Sequence, residues 1–167
     1  TLDGGYYLVA GRLLHYKRFD IVIEAAKQLG IRLLVVGAGP EEQKLKRQAQ
    51  GASRIDFLSF VPDHKLRQLY TEAKAFIFPQ VEDFGLVAAE AQACGTPVIA
   101  QRAGGALEIV TDGETGIFFE EETVESLVRG IQRFEKSSFN REAIAASTQR
   151  FSFEVFKEEF LKLLPRL

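Results

Sequence analysis

The chain has 167 residues, which is enough for one domain with a sizeable buried core. Its 21 Lys and Arg residues against 23 Asp and Glu residues give a formal charge of -2, which argues against nucleic acid as the main partner. A single cysteine, Cys94, excludes an internal disulfide and suits a reducing compartment, and no apolar run approaches the roughly 20 residues that cross a bilayer. We therefore expect a cytoplasmic protein.

Short apolar runs that predict buried strands recur six times along the chain, at residues 6–10, 31–36, 55–61, 75–78, 97–100 and 116–119. Helical periodicity fills most of the intervals and the end of the chain, at residues 19–29, from Pro40, 63–73, 86–94, 123–134, 141–148 and 153–164. Pro62 and Asp63 predict a turn with an N-cap. Strands separated by helices require right-handed crossovers. The predicted fold class is α/β, a Rossmann-like doubly wound parallel sheet of about six strands with C-terminal helices.

The stretch from Glu82 to Ala100 has the strongest chemical pattern. Glu82 precedes a loop that contains Gly85, and Glu90 follows eight positions later in the predicted helix. Glycine lets the backbone approach a ligand closely, and the free amide groups at the start of a helix favour an anion. We expect a phosphate-sized anion site there, with both carboxylates in one cleft.

Three motifs resemble those of the retaining GT-B glycosyltransferases known as glycosyl transferases group 1, or family 4. The first is Glu82-x7-Glu90 followed by the sequence of residues 91–100, Ala-Gln-Ala-Cys-Gly-Thr-Pro-Val-Ile-Ala. The others are Gly-Arg-Leu at residues 11–13 with Lys17, and Val-Gly-Ala-Gly-Pro at residues 36–40. The resemblance runs in order from about Tyr7 to about Leu164. It implies that residues 1–167 are the donor-binding lobe of a two-lobed enzyme whose N-terminal acceptor lobe is absent.

The start of the chain agrees with that implication. The first residue is Thr1, and the sequence contains no methionine. We therefore expect the 167 residues to be part of a longer protein.

The resemblance also assigns roles to charged side chains. Arg12 and Lys17 would bind the diphosphate of a nucleoside-diphosphate sugar, and an ion pair of Arg12 with Glu82 or Glu90 is the structural alternative. Glu90 would accept hydrogen bonds from the ribose hydroxyls, with a buried salt bridge as its alternative. Glu82 is the predicted catalytic residue, which positions the sugar and favours the positive charge that develops as its bond to phosphate breaks.

Main-chain groups complete the predicted donor site. Amides of Phe84, Gly85 and Leu86 would bind the sugar and the distal phosphate, and the backbone at Phe60 and Val61 would meet the base. The tight turn predicted at residues 104–105 has close approach to the sugar as a weaker alternative. No Asp-x-Asp occurs, so we expect no metal site and no cofactor besides the donor substrate.

Two positions depart from the family pattern. Arg18 stands where glycine usually follows the lysine, and Asp83 replaces what is often a small residue. An additional cation would strengthen phosphate binding, whereas an additional anion beside Glu82 would oppose it. Sugar preference is the property that these departures affect most.

The last predicted helix has a stripe of large apolar residues, namely Phe153, Phe156, Phe160, Leu163 and Leu164. Packing of this stripe onto the domain is the favoured interpretation. In the resembled enzymes the final helix crosses to the other lobe, so exposure of the stripe and self-association of the isolated lobe form the alternative.

The predicted function is transfer of a hexose from a nucleoside-diphosphate sugar to a glycan or lipid-linked acceptor, without a metal and with retention of configuration. The acceptor would be held by the missing lobe, and peripheral membrane association of the full-length enzyme stays open. The isolated chain is expected to bind donor weakly and to be inactive. A stand-alone nucleotide-sugar binding module, and a two-lobed sugar epimerase or phosphorylase, are the competing interpretations.

Overall fold

The computed structural model describes residues 5–163. Six strands form one parallel sheet: β1 Tyr7–Ala10, β2 Leu33–Val36, β3 Ile55–Leu58, β4 Ala75–Phe78, β5 Val98–Gln101 and β6 Gly116–Phe119. Eight helices accompany them in this part of the chain: α1 Phe19–Leu29, α2 Glu42–Gln48, α3 Asp63–Glu72, α4 Leu86–Ala93, α5 Ala106–Ile109, α6 Val124–Phe134, α7 Arg141–Ser147 and α8 Phe153–Leu163. The predicted α/β fold class with about six parallel strands is confirmed.

The strand order is β3-β2-β1-β4-β5-β6. The chain moves outward from β1 to β3, returns to pair β4 with the other side of β1, and then moves outward again to β6. The loops that follow β1 and β4 therefore leave neighbouring strands in opposite directions, and a cleft opens between them at the carboxyl edge of the sheet. This cleft is where a doubly wound sheet binds ligands.

Both faces of the sheet are buried. Along β1, Tyr7 and Val9 join the cluster that α1 and α6 cover, whereas Leu8 and Ala10 join the cluster that α3, α4 and α5 cover. Successive side chains of a strand point to opposite faces, so a strand buried on both sides needs an unbroken apolar sequence. The two clusters hold the carboxyl ends of the strands rigidly beneath the cleft.

Close backbone packing joins the loops after β1 and β2. Gly37 adopts a φ of 143°, and a Cβ at this position would lie 1.9 Å from the carbonyl oxygen of Gly11. The Gly11 N–H donates to Val36 O at 3.0 Å, and the Leu13 N–H donates to Ala38 O at 3.0 Å. Glycine is required at residue 37 because any side chain would separate these two loops.

Most element boundaries lie within two residues of prediction, and four differences are informative. Strand β3 ends at Leu58 rather than at residue 61, because its last bond to β2 is the one that the Gly37 N–H donates to Leu58 O at 2.8 Å. Helix α2 begins at Glu42 rather than at Pro40. Asp63 is the first residue of α3 and makes no capping hydrogen bond, so its assignment as an N-cap was wrong. Helix α5 is only four residues long and was not predicted.

Helix α8 does not pack onto the domain as the favoured interpretation required. None of its residues is buried, and its exposed side chains include Phe153, Phe156, Phe160 and Leu163. The rings of Phe156 and Phe160 stack on one another with centroids 5.8 Å apart. The amphipathic pattern of α8 therefore describes a face that the described part of the chain leaves uncovered. Leu164, the last residue of the predicted stripe, lies outside the described residues.

Self-association through this face stays a prediction. We expect the double substitution Phe156→Ser and Phe160→Ser to shift the chain toward monomer at high concentration, since it removes two large exposed apolar side chains. The melting temperature should change little because neither side chain is buried. Sedimentation velocity at several concentrations would measure this, with Glu158→Ser on the opposite side of α8 as the control. Equal association of the wild type and the double variant would contradict the prediction.

A surface cluster of charged groups joins β5, β6 and α6. The Asp112 carboxylate accepts hydrogen bonds from the Arg133 guanidinium at 3.1 Å, from Arg102 at 3.2 Å and from the Phe118 N–H at 3.2 Å. Partial burial opposes ionisation of Asp112, but these donors outweigh it and hold the pKa of Asp112 below its usual value.

The sign of this pKa shift predicts acid sensitivity. A carboxyl whose pKa is lower in the folded state stabilises the fold above its unfolded-state pKa, and the stabilisation disappears as the pH falls through its folded-state pKa. We expect Asp112→Asn to lower the free energy of unfolding near neutral pH and to leave it nearly unchanged in strong acid. Urea unfolding at a series of pH values would test this. A constant difference between variant and wild type at every pH would contradict it.

Candidate functional site

Three side chains meet across the cleft between the β1 and β4 loops. The Lys17 ammonium donates to Glu82 Oε1 at 2.7 Å, and Gln80 Nε2 donates to the same oxygen at 3.2 Å. Lys17 and Gln80 are buried, whereas Glu82 is partly exposed. The ion pair thus joins the two loops that flank the cleft, and it leaves one edge of the carboxylate accessible.

The turn after β5 supports the loop that contains Glu82. The Gly105 N–H donates to Glu82 O at 2.8 Å. A Cβ on Gly104 would lie 2.5 Å from Glu82 O, and a Cβ on Gly105 would lie 2.1 Å from Phe84 O. The tight turn predicted at these glycines thus packs closely against the backbone of the Glu82 loop and fixes the position of Glu82, whereas their approach to the sugar stays a prediction.

Free amide groups follow directly along the chain. Gly85 has a φ of 93° and forms the N-cap of α4. Within residues 5–163 the N–H groups of residues 84–87 make no hydrogen bond. Unpaired amides at a helix start, with the dipole of the helix behind them, form a binding place for an anion. The predicted amide donors of Phe84, Gly85 and Leu86 are thus available to a ligand.

A hollow of about 440 Å³ opens between these groups, and it is lined by Tyr16 and by residues 81–86. Its rim is apolar, since the side chains of Tyr16, Val81, Phe84 and Leu86 are exposed around Glu82. The sequence interpretation did not include Tyr16 or Gln80. Their positions beside Lys17 and two residues before Glu82 were the only signals available in the sequence.

Glu90 lies in a second hollow, on the same helix as Leu86 but one turn further along. This hollow has a volume of about 530 Å³ and lies between α3 and α4, lined by Asp63, Leu66, Arg67, Tyr70, Glu90, Ala93 and Cys94. Glu90 is exposed, and the Tyr70 hydroxyl donates to its Oε2 at 3.5 Å. Glu82 and Glu90 therefore line two separate hollows rather than the single cleft that the sequence predicted.

The environment of Glu90 perturbs its titration. Although Glu90 as a whole is exposed, the walls of the hollow partly desolvate its carboxyl and raise the pKa of Glu90 above its usual value, and the negative charge of Asp63 adds to this effect. The Tyr70 hydroxyl and the Arg67 guanidinium oppose it. No ion pair joins Glu90 to a cation among the described residues, so the salt-bridge alternative for Glu90 is not found there.

The remaining predicted donor residues lie at the same edge of the sheet without direct contact to Glu82. Arg12 follows β1, is exposed, and forms no ion pair within the described part of the chain. The alternative in which Arg12 pairs with Glu82 or Glu90 is therefore wrong, since Lys17 is the partner of Glu82. Phe60 is 86% exposed, and Val61 packs against the apolar cluster beneath α3 and α4.

The backbone of Arg18 shows why glycine is usual at this position of the family pattern. Arg18 has a φ of 51°, a left-handed conformation that glycine adopts without strain. Its guanidinium pairs with Asp20 at 3.1 Å and with Glu122 at 2.8 Å. Since two carboxylates already hold this cation, the expectation that it would strengthen phosphate binding is not supported. Asp83, the other departure, is exposed beside Glu82.

Within residues 5–163 no group of three or more His, Cys, Asp or Glu side chains is placed to hold a metal ion. None of the helices in this range is both long and apolar enough to cross a membrane. Metal independence and a cytoplasmic location stay predictions.

The strand order, the cleft at the switch between β1 and β4, and the glycine-rich loops around it define a Rossmann-like domain of the GT-B class. The chain belongs to the family of glycosyl transferases group 1, whose sequence model matches residues 2–151. The resemblance drawn from the three motifs is confirmed.

Relatives of this chain include two kinds of curated enzyme. A D-inositol 3-phosphate glycosyltransferase of Acidothermus cellulolyticus is 38% identical over 135 residues, which cover 70% of this chain and 30% of that protein. A glycogen synthase of Thermus thermophilus is 32% identical over 151 residues, which cover 86% of this chain and 35% of that protein. The chain thus spans about a third of the length of these two relatives.

A solved structure agrees with the fold. The Anabaena protein HepE, in complex with UDP and glucose, superposes with a TM-score of 0.79 at 28% sequence identity. The match covers 98% of this chain and 49% of that chain.

Proposed function

We propose that this chain is the donor-binding lobe of a retaining, metal-independent glycosyltransferase, and that its ligand is a nucleoside-diphosphate hexose. The observation that supports this most directly is the Lys17 and Glu82 pair across the switch-point cleft, beside the free amides of residues 84–87. A cation and a set of unpaired amide donors bind a pyrophosphate, and a carboxylate at the same place orients sugar hydroxyls. The binding of UDP and glucose by HepE, a neighbour of the same fold, adds support.

Each group then has a place in the proposed complex. Lys17 and Arg12 bind the diphosphate, and the amides of Phe84, Gly85 and Leu86 bind the distal phosphate and the sugar. The ribose hydroxyls donate to Glu90 in the hollow between α3 and α4, and the backbone of Phe60 and Val61 meets the base. In this arrangement Glu82 stabilises the positive charge that develops on the sugar as its bond to the phosphate breaks.

The complete protein would transfer the hexose to a glycan or lipid-linked acceptor, which an N-terminal lobe would bind. The 167-residue chain alone has no acceptor lobe in this proposal, so we expect it to bind donor without turnover. Detectable sugar transfer by the isolated chain would contradict the proposal that the donor and the acceptor are bound by separate lobes.

Calorimetric titration of the chain with UDP, GDP and ADP tests the proposal. One of the three should bind, and Arg12→Ala should weaken that binding by about 1.5 to 3 kcal/mol, the value of a hydrogen bond to a charged group. The variant Glu90→Ala should reduce the advantage of the ribose nucleotide over an analogue without the ribose diol. Arg129→Ala and Glu125→Ala on α6 are matched controls, because both residues are exposed and α6 lies outside both hollows.

Two results would refute the assignment. The first is the absence of heat and of any melting-temperature shift with all three nucleotides. The second is an equal loss of affinity in the Arg12 variant and in its α6 control, which would indicate non-specific attraction between the ligand and positive charge.

A further inference from the structure

Gln80 has an unusual environment for a polar side chain. It follows β4 by two residues and is 1% exposed. Its Nε2 donates to Glu82 Oε1 at 3.2 Å, whereas its own Oε1 is buried and has no hydrogen-bond partner within the described residues. A buried acceptor without a partner is unfavourable, so its retention in a folded chain calls for an explanation.

The orientation of the Gln80 amide supplies that explanation. If the amide were rotated by half a turn, its oxygen would face Glu82 Oε1, and two acceptors would meet. The carboxylate therefore selects the orientation in which Nε2 faces it, and the oxygen of the amide is left unpaired. The contact between Gln80 and Glu82 is therefore maintained although it leaves the amide oxygen of Gln80 buried without a hydrogen-bond partner.

Two donors now converge on one carboxylate oxygen. The terminal torsion of a glutamate is broad, so a carboxylate held by a single bond can adopt many orientations. With Lys17 and Gln80 both on Oε1, rotation is restricted, and no described residue donates to Oε2. The second oxygen of Glu82 is thus left to a ligand in the adjacent hollow.

The two donors differ in what an anionic ligand does to them. A diphosphate that reaches Lys17 competes for its ammonium group, since both partners of that cation are then negatively charged. Gln80 is neutral and only 1% exposed, whereas the Lys17 side chain is charged and 11% exposed, so the phosphate competes for Lys17 and not for Gln80. When Lys17 turns to the ligand, Gln80 is the donor that remains on Glu82.

We propose that Gln80 is a positioning residue, which holds the Glu82 carboxylate in place for the sugar of the donor while Lys17 binds the diphosphate. This inference rests on the proposed function and adds a determinant of sugar binding to it. The proposal predicts a selective effect. Loss of Gln80 should weaken binding of the sugar part of the donor and leave binding of the nucleoside diphosphate unchanged.

The experiment compares two ligands on each protein. Calorimetry gives the dissociation constant of the nucleoside diphosphate that binds best among UDP, GDP and ADP, and that of its glucose conjugate. Gln80→Met keeps the length of the side chain without a donor. In this variant we expect binding of the glucose conjugate to weaken, so that the ratio of the dissociation constant of the nucleoside diphosphate to that of the conjugate falls by about three- to tenfold. The affinity for the nucleoside diphosphate alone should be unchanged.

A second glutamine is the matched control. Gln92 on α4 is also fully buried with an unpaired Oε1, but its Nε2 donates to Thr115 O at 3.2 Å and to Thr115 Oγ1 at 2.9 Å, away from Glu82. Gln92→Met should lower the melting temperature and preserve the ratio. Gln80→Met should preserve the melting temperature or raise it, because the unpaired acceptor is removed.

The outcomes separate this inference from the proposed function. If no nucleoside diphosphate binds the wild type, the proposed function fails. If the nucleoside diphosphate binds and Gln80→Met leaves the ratio unchanged, Gln80 is a packing residue and this inference alone is overturned. Should Gln80→Met fold poorly, Gln80→Leu provides the same comparison, since it also removes the donor at similar size and places no second carboxylate beside Glu82.

Discussion

Replacement of Lys17 by methionine is expected to weaken binding of a nucleoside diphosphate by about 10- to 100-fold, because a charged hydrogen bond to the ligand is lost. The same change leaves Glu82 without its cation. We expect this to lower the free energy of unfolding by about 1 to 2 kcal/mol, less than for a fully buried pair because the Glu82 side chain is 23% exposed.

The control for Lys17 is an exposed pair of similar length. Lys44 donates to Glu41 at 2.8 Å on the surface of α2, and Lys44→Met should cost less than about 1 kcal/mol and leave the affinity unchanged. A double variant, Lys17→Met with Glu82→Gln, should recover most of the lost stability without recovering affinity. Calorimetry and urea unfolding would measure both quantities. Unchanged nucleotide affinity in Lys17→Met would remove the main support for a diphosphate at this cleft.

The second large effect is expected at Gly105. An alanine Cβ there would lie 2.1 Å from Phe84 O and 2.6 Å from Asp83 O, and both atoms belong to the backbone of the loop after β4. The loop has to move, and the hydrogen bond from the Gly105 N–H to Glu82 O is strained or lost. We expect Gly105→Ala to lower the free energy of unfolding by about 2 to 4 kcal/mol. Donor binding should decrease by at least about tenfold as the amides of residues 84–87 shift.

Gly51→Ala distinguishes displacement of the loop from the general cost of replacing a glycine. Gly51 has a φ of 85° with no atom within 4 Å of the added Cβ, so only the backbone strain of about 1 to 2 kcal/mol should appear. Its donor affinity should equal that of the wild type. If the two alanine variants reduced affinity equally, the turn after β5 would have no specific connection with the site.

The alternation of strands and helices could be predicted because local periodicity determines it. Strands β1, β2, β4 and β6 are buried on both faces and therefore read as continuous apolar runs, as at residues 75–78. The end of β3 was missed because it depends on the neighbouring strand. The last hydrogen bond to β3 comes from Gly37, the residue that follows β2, and it reaches Leu58 O. Helix α5 is too short to establish a period, and the exposure of α8 could not be predicted because an amphipathic pattern does not specify what covers its apolar face.

The candidate site was predicted in part for a similar reason. Motif spacing assigned Lys17, Glu82 and the amides of residues 84–86, and the structure brings these groups together. Spacing alone could not assign the partner of Lys17, because Lys17 and Glu82 are 65 positions apart and meet only through the pairing of β1 with β4. Gln80 was missed because a glutamine after a strand has no distinctive pattern, and its role depends on burial.

The ion pairs around the cleft have a consequence for how fast a ligand arrives. Lys17 faces Glu82, Arg18 faces Asp20 and Glu122, and the positive charge of Arg12 is offset by the negative charge of Asp83. A dianion approaching from solution therefore meets a surface with little net attraction, and long-range steering contributes little to its encounter rate. The favourable contacts form only after arrival, when Lys17 exchanges one anionic partner for another. We infer that affinity for the donor is set by slow departure, whereas the encounter itself is nearly insensitive to ionic strength.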